Sequence, residues 1–584
     1  PLLIAGTILA LVGGFVTKPS QRAIRTADWA LALAAIIVAA YFLIGLDALA
    51  LRLRAGTPFA DTSNMYAALV GVALILELTR RLAGMPLVAI ALVFVVYAFV
   101  GPYLPGFLSH SGYTMKRFFT YIYTDNGILG PTTAVSSTYI MLFIMFAAFL
   151  QVTKVGQYFV DFSFALAGRA RGGPAKVAVF ASGLMGTING TSAGNVVATG
   201  SITSPLMKRV GYRPQTAGAI EATASTGGQI MPPIMGAGAF IMAEVTGIPY
   251  TDIVVAALIP AILYFLAIYL KIDLEAVRMG MSGLPKSELP TLGGLLRQAY
   301  LFAPILILIG ALFGGYSVIR AGTLAIAAAA AVSWLTPSRM GPRRLFDALA
   351  VSTAMALQII AVCAAAGIIV GVIALTGVGA RFSALLLGLA EASTLLALFF
   401  AMIISIILGM GMPTTAAYAV AASVVAPGLT QLGVEPLVAH FFVFYFAVLS
   451  AVTPPVALAA YAGSAIAGSD PMRTSVESFR FALTAFIVPF MFFYNAALLG
   501  EGSAIQIAWT LVAASLGVWA LSHGVQGWLF GRINVLVRVL LLGAALLMIS
   551  GGLLEGALGI AAFVALVAYR WKVGEPPSRT RPAV

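Results

Sequence analysis

The stretch GTINGTSAGNVVATGS, residues 186–201, lies inside a long apolar run, yet eleven of its sixteen residues are Gly, Ser, Thr or Asn. Glycine costs a helix about 1 kcal/mol per position relative to alanine, and a bare hydroxyl or amide in hydrocarbon costs several. A simple membrane span carrying both burdens would be a poor one, and the flanking charges point to another geometry. The uncharged run 177–207 is preceded by Arg169, Arg171 and Lys176 and followed by Lys208, Arg209 and Arg213. Lys and Arg mark cytoplasmic ends of membrane segments, so both ends of the run belong on one face. As one helix the run would reach about 46 Å, beyond a hydrocarbon core of roughly 30 Å; folded in two, each arm reaches about 23 Å. The sequence therefore predicts a re-entrant hairpin with its tip near Ile188–Ser192.

The surrounding block repeats itself. A shift of 222 residues lays Pro205 on Pro427, Gly211 on Gly433, Pro214 on Pro436, the pair Pro232-Pro233 on Pro454-Pro455, and Pro249 on Pro471. One residue more brings TKVG (153–156) onto TGVG (376–379). The second copy predicts a hairpin around 394–430, and no Lys or Arg occurs from Phe382 to Met472. Its flanks are Gln431, Glu435 and His440, which suit the outer face. Hairpins entering from opposite sides are the expectation for an inverted repeat, and duplicated halves with Gly/Pro-interrupted segments point to a secondary transporter with a midplane site.

Composition sets the class around this core. With 61% hydrophobic and 9% charged residues and a mean hydropathy of +1.02, the chain reads as an all-α polytopic membrane protein; its Ala/Val/Leu/Gly texture lacks the period-two alternation of a β-barrel. The net charge of +13 is spread over short loops, a positive-inside pattern rather than a nucleic-acid face. Three regions follow. Residues 1–130 read as four scaffold helices (2–17, 28–50, 65–83, 84–103) and an amphipathic interfacial helix within 109–133. Residues 131–500 hold the two repeats, about 134–316 and 344–500. Residues 501–584 add about two helices (502–523 and 535–569) and a disordered polar tail. The chain opens on Pro1 rather than Met, so 2–17 is read as the remains of a first span rather than a cleaved signal. The lone Cys363 offers no disulfide or metal cage, and no G-x₄-G-K-[ST] loop is present to use ATP.

Non-helical backbone at membrane depth survives only where protein or a water-filled cavity surrounds it. Freed carbonyls and hydroxyls can then hold a small cation, and positive helix ends attract a carboxylate. At the first tip Gly186, Gly190 and Gly194 allow the turn, and Asn189, Thr191, Ser192 and Asn195 supply ligands. The second tip, GMGMPTTAAYA (409–419), offers Gly409, Gly411, Thr414 and Thr415, with Pro413 as the breaker. Each repeat also predicts a broken span: STGGQIMPP (225–233), with Ser225, Thr226, Gly228, Gln229 and Pro232, and LSAVTPP (449–455), with Ser450, Thr453 and Pro454. Proline pairs remove amide donors and free carbonyls one turn earlier. Glu221 and Glu244 flank the first break as candidate coupling carboxylates, or else as solvated interfacial groups. Gly190-x₃-Gly194 alone would equally be a helix-packing motif. His110, His440 and His523 are isolated, and Asp161 and Asp470 are expected near membrane surfaces. A lipid-modifying enzyme would need a carboxylate or His cluster that the scattered positions do not supply, and opposed hairpins suit alternating access better than a channel.

Four stretches carry a resemblance: GTINGTSAGNVVATGSITSPLMKRVGY, STGGQIMPPIMGAGAFIMAEVTGIPY, LGMGMPTTAAYAVAASVVAP and AVLSAVTPPVALAAYAGSAIAGSDPMRT. Together they resemble the hairpin and broken-helix signatures of the tripartite ATP-independent periplasmic (TRAP) transporters. The first and third are similar to the subfamily served by TAXI-type binding proteins, in which small and large membrane subunits are fused. The resemblance covers most of residues 20–500. It implies a transporter in the bacterial cytoplasmic membrane, not an enzyme, with no cofactor and a monomeric, lipid-embedded scaffold. A periplasmic TAXI-type binding protein would deliver a small carboxylate, and an elevator motion driven by a cation gradient, commonly Na+, would import it. Carried onto this chain, one cation site joins the first tip to the first break (Asn189, Ser192, Thr226, Gly228). The other joins the second tip to the second break (Gly411, Thr415, Ser450, Thr453), and the substrate lies between the tips. The Asn and Thr of the first tip, and the absence of a carboxylate at the second, leave Na+ and H+ both open, with Glu221 or Glu244 serving the proton case. A stand-alone inverted-repeat anion symporter is the alternative.

Overall fold

The structure, a computed structural model, describes residues 26–45 and 54–573; the expected first span at 2–17 and the polar tail lie outside them. Among the described residues regular structure is helical apart from one isolated bridge between Trp528 and Arg532. The helices are rich in Ala, Leu, Val and Ile and satisfy their backbone internally, as a segment in lipid must. Seven are long and apolar enough to cross a membrane, or up to nine if two sharply bent pairs count as spans. One of those pairs, Pro471–Ala482 with Ala485–Tyr494, bends by 58° where the sequence predicts a single span at 475–500. The protein is an all-α polytopic membrane protein.

The chain divides into two compact units, Pro1–Val155 with Ala237–Tyr250 and Leu301–Pro436, and Gly156–Gly236 with Thr251–Tyr300 and Leu437–Val584. In the first unit the 35-residue helix Pro342–Thr376 is the axis. Helices Thr62–Leu82 and Met85–Val100 pack on it, and Thr79 Oγ1 donates to the Ala361 carbonyl at 3.1 Å. Arg81 ties Thr26–Gly45 to Thr62–Leu82 by pairing with Asp28 at 2.8 Å, while Glu77 on its own helix holds it at 2.7 Å. The amphipathic helix expected within 109–133 forms at Met115–Ile122, but it does not lie free at a surface. It is only eight residues long, and Phe118, Phe119 and Ile122 are buried against protein. The second hairpin, Thr394–Gly409 and Thr414–Gln431, belongs to this unit.

The second unit holds the first hairpin, the helix Pro214–Gly227, the second broken span and the C-terminal extension. The extension has three helices rather than two: Ala504–Gln526, Val535–Ile549 and Leu553–Val573. The run 535–569 reads as one apolar span, but Ser550-Gly551-Gly552 ends its helix, with Gly551 at φ +90°, a conformation that glycine adopts without a Cβ clash. Elements recur at the offset read from the sequence. Ser192–Arg209 and Thr414–Gln431 are both 18 residues long and start 222 positions apart, each with an internal proline, Pro205 or Pro427. Pro214–Gly227 and Pro436–Leu449 are both 14 residues long at the same offset.

Candidate functional site

The first hairpin forms where the sequence places it. One arm, Gly173–Gly186, ends on Thr187, and the second begins at Ser192, capped by Thr191, whose Oγ1 accepts from the Gly194 amide at 3.2 Å. A Thr N-cap satisfies one of the free amides of a helix start. At 14 and 18 residues the arms reach about 21 and 27 Å, short of a roughly 30 Å core. The helix Pro214–Gly227 lies against both arms. Its end and the hairpin tip meet backbone to backbone, because a Cβ on Gly228 would fall 2.7 Å from Asn195 Nδ2 and 2.8 Å from Gly186 Cα.

Side-chain amides stitch this meeting point. Asn195, fully buried, donates through Nδ2 to the Ser182 carbonyl at 3.0 Å and the Ser225 carbonyl at 3.4 Å, joining both arms to the neighbouring helix. Gln229, the first residue past the Gly227-Gly228 helix end, donates through Nε2 to the Asn189 carbonyl at 3.3 Å. The chain then turns through Met235 and Gly236, both left-handed, at φ 56° and 60°. A Cβ on Gly236 would stand 2.6 Å from Gln229 Oε1 and 3.5 Å from the Gly190 carbonyl. Three buried atoms at the tip and break have no hydrogen-bond partner: Asn189 Nδ2, Asn195 Oδ1 and Gln229 Oε1. Buried polar atoms are nearly always paired, and an unpaired one costs about 1–3 kcal/mol. Two free acceptor oxygens on the side chains that stitch tip to break, Gln229 Oε1 among them close to the half-buried Asn189 and Gly190 backbone, form an arrangement suited to a small cation or water. Ser192 is buried at the start of the second arm, and Thr226 spends its hydroxyl on the Ala222 carbonyl at 2.8 Å.

One turn below this point lies a cage that the sequence reading missed. Glu221 is fully buried. Thr199 Oγ1 donates to its Oε1, Thr203 Oγ1 donates to its Oε2 at 2.5 Å, and Ser225 Oγ lies 3.5 Å from Oε1. Ser182 Oγ completes the ring, 3.2 Å from Ser225 Oγ and 3.4 Å from Thr199 Oγ1. No cationic side chain pairs with Glu221 among the described residues. Thr199 and Thr203 can also donate to the carbonyls of Asn195 and Thr199, at 2.9 and 3.0 Å. A hydroxyl has one proton to give and two lone pairs to offer, so the cage accommodates either the carboxylate, by donating to it, or the acid, by accepting from it. The signal in the sequence is the four-residue spacing of Asn195, Thr199 and Thr203, one face of a helix, facing Glu221 and Ser225 at the same spacing.

With the hairpin, break and cage in view, likeness to known proteins becomes decisive. The family described as "Tripartite ATP-independent periplasmic transporter, DctM component" matches residues 70–507, which include both hairpins and both broken spans. The chain belongs to this DctM family. A C4-dicarboxylate TRAP transporter large permease protein, DctM, of Pseudomonas aeruginosa is 26% identical over 344 residues, covering 58% of this chain and 79% of that protein. A putative TRAP transporter large permease protein of Haemophilus influenzae is 24% identical over 323 residues, 54% of this chain and 74% of its own length. Membership makes the protein a membrane component of a TRAP transporter, a class of transporters and not of enzymes.

Within this DctM-family chain the remaining site candidates separate. Gly411 (φ +74°), Pro413, Thr414 and Thr415 form the second tip in the first unit. Ser450, Thr453 and Pro454 lie in the second unit, where both hydroxyls donate to carbonyls of the preceding turn, those of Ala447 and Leu449. Glu244 is exposed near the end of the helix Gly238–Thr246, unlike Glu221. The positions 222 beyond Asn195, Thr199, Thr203, Glu221 and Ser225 are Ala417, Ala421, Val425, Val443 and Ala447. The cage therefore exists in one repeat only, and its equivalent positions pack as small apolar residues.

Proposed function

We propose that the protein imports a small carboxylate by symport with a cation, with the first hairpin tip and first break forming one coupling site. The observation that carries this reading is the meeting of tip and break, with Asn195 Oδ1 buried and unpartnered on the second arm and Gln229 Oε1 buried and unpartnered close to the Asn189 and Gly190 carbonyls. An all-oxygen set of amide and carbonyl groups suits a hard monovalent cation, and Na+ is the coupling ion of this reading. The name of the P. aeruginosa relative suggests C4-dicarboxylates as the substrate class. In keeping with the tripartite family, a periplasmic binding protein, of the TAXI type in this reading, delivers the substrate in the bacterial inner membrane. The helices before about residue 105 then serve as a fused small subunit, and the inverted hairpins move as an elevator.

A second reading of the ion is favoured by a specific observation. The Glu221 cage holds a carboxyl group with no paired cation among the described residues and hydroxyls able to serve both protonation states, which suits a proton carrier. Uptake into proteoliposomes under an imposed Na+ or proton gradient, with and without the binding protein, separates these readings. Under Na+ coupling, Ser192→Ala, Thr226→Ala and Thr415→Ala shift the Na+ dependence and Glu221→Gln leaves it in place. Under proton coupling only Glu221→Gln abolishes gradient-driven uptake. Full transport without any binding protein would assign the chain to the stand-alone symporters instead.

A further inference from the structure

We infer that the cytoplasmic end of the C-terminal extension is a binding site for the headgroup of an anionic phospholipid. The extension lies almost wholly beyond the family match, which ends at residue 507. Its three helices come together at one end around the turn Gly527–Asn534, and all four of its described cations, Arg532, Arg538, Arg570 and Lys572, belong to that end. No Asp or Glu occurs from Gly502 to Leu554, and Glu555 sits at the opposite end of the last helix.

The charges are held on a fixed frame. Arg570 donates through Nε to the Leu529 carbonyl at 3.3 Å and through Nη2 to the Arg532 carbonyl at 3.1 Å, closing the turn. Arg538 donates through Nη2 to the Val525 carbonyl at 2.8 Å. A guanidinium has five N–H donors, so both keep donors free while their orientation is set by the backbone. Arg532 and Lys572 are exposed, and no acidic partner is found for any of the four among the described residues. The nearby Asp273 carboxylate is already taken by Lys176 at 2.5 Å and Arg171 at 3.5 Å.

Apolar and aromatic side chains surround the cations. Phe530 is 48% exposed at the tip of the turn, with a left-handed φ of 48°, and Tyr569 and Trp571 are exposed on the last helix. Aromatic rings beside Lys and Arg at the ends of spans mark the headgroup level, and the sign of the charge places this end at the cytoplasmic leaflet. Phosphodiester oxygens there meet two guanidiniums oriented by backbone carbonyls and two exposed cations, with no competing carboxylate among the described residues, a match for phosphatidylglycerol-like lipids over zwitterionic ones. Gln526 Nε2 donates to the Lys271 carbonyl at 3.3 Å, so the same end also rests on the helix Tyr250–Arg278, and a bound lipid would fix the extension there.

The test is native mass spectrometry of the full chain relipidated with equal amounts of phosphatidylglycerol and phosphatidylcholine. Wild type retains phosphatidylglycerol in preference. Arg532→Gln with Lys572→Gln, whose side chains take no part in closing the turn, lowers that preference by more than tenfold, about fivefold per charge. Arg343→Gln, at the basic start of the helix Pro342–Thr376, keeps it. An unchanged preference in the double variant, or an equal loss in the control, would overturn the assignment. So would release of the lipid by millimolar inorganic phosphate, which would mark a soluble-anion site.

Discussion

Glycines decide how closely the hairpin approaches its neighbour, and they differ sharply in what they tolerate. Gly228 and Gly186 meet backbone to backbone, whereas Gly183, mid-arm, has only the Phe265 ring at 3.5 Å or beyond. Gly228→Ala is therefore expected to cost about 2 kcal/mol through overpacking, while Gly183→Ala should be neutral or gain up to about 1 kcal/mol from helix propensity. Thermal unfolding in detergent reads both. Equal effects of the two substitutions would contradict the close approach. At this scale the sequence was only partly legible. Asn189, Asn195 and Gln229 stood out as polar residues beside glycines, but Thr199, Thr203 and Ser182 passed as scattered hydroxyls. Their partner, Glu221, is distant in sequence, and only the fold aligns the two four-residue spacings.

Elements were read best where proline and glycine punctuate them. Pro205, Pro214 and their partners at Pro427 and Pro436 fix helix positions that recur with matching lengths, because proline restricts the backbone in the same way in either copy. The C-terminal break at Ser550–Gly552 was missed, since the flanking residues are apolar on both sides and hydropathy alone runs through it. Contacts between elements were not legible at all. Lys176, at the base of the first arm, is buried and pairs with Asp273 on the helix Tyr250–Arg278 at 2.5 Å, with its ammonium 4.8 Å from the Tyr269 ring centroid. Removing one partner of a buried pair strands the other charge. Asp273→Asn should thus cost about 3 kcal/mol, and Lys176→Met added to it should restore most of the loss. A double variant no more stable than Asp273→Asn, measured by thermal unfolding, would show that the pair does not anchor the hairpin.

For the whole molecule, the all-α polytopic class followed from composition, and membership in the DctM family agrees with the resemblance carried by the four motifs. The two-sided basic flanks of the first hairpin make a topological prediction. The one cysteine, Cys363, is buried, so thiols introduced by Arg171→Cys and Arg209→Cys, both at exposed positions, can be read against a low background. Both should react with an impermeant maleimide from the cytoplasmic side only; opposite sidedness would make 177–207 a crossing span. The division of labour between the repeats is a second consequence at this scale. Equivalent positions carry a hydroxyl-caged carboxyl group in one copy and Ala or Val in the other, so the shared fold does not require the cage.

The most direct test of the account is ion-driven uptake by the reconstituted protein carrying Asn195→Ala or Gln229→Ala, each removing one of the free oxygens at the meeting of tip and break. Both variants are expected to fold, to bind substrate at saturating cation, and to need about fivefold more coupling ion, the loss of one ligand interaction of about 1 kcal/mol. Uptake with wild-type ion dependence in both variants would contradict it.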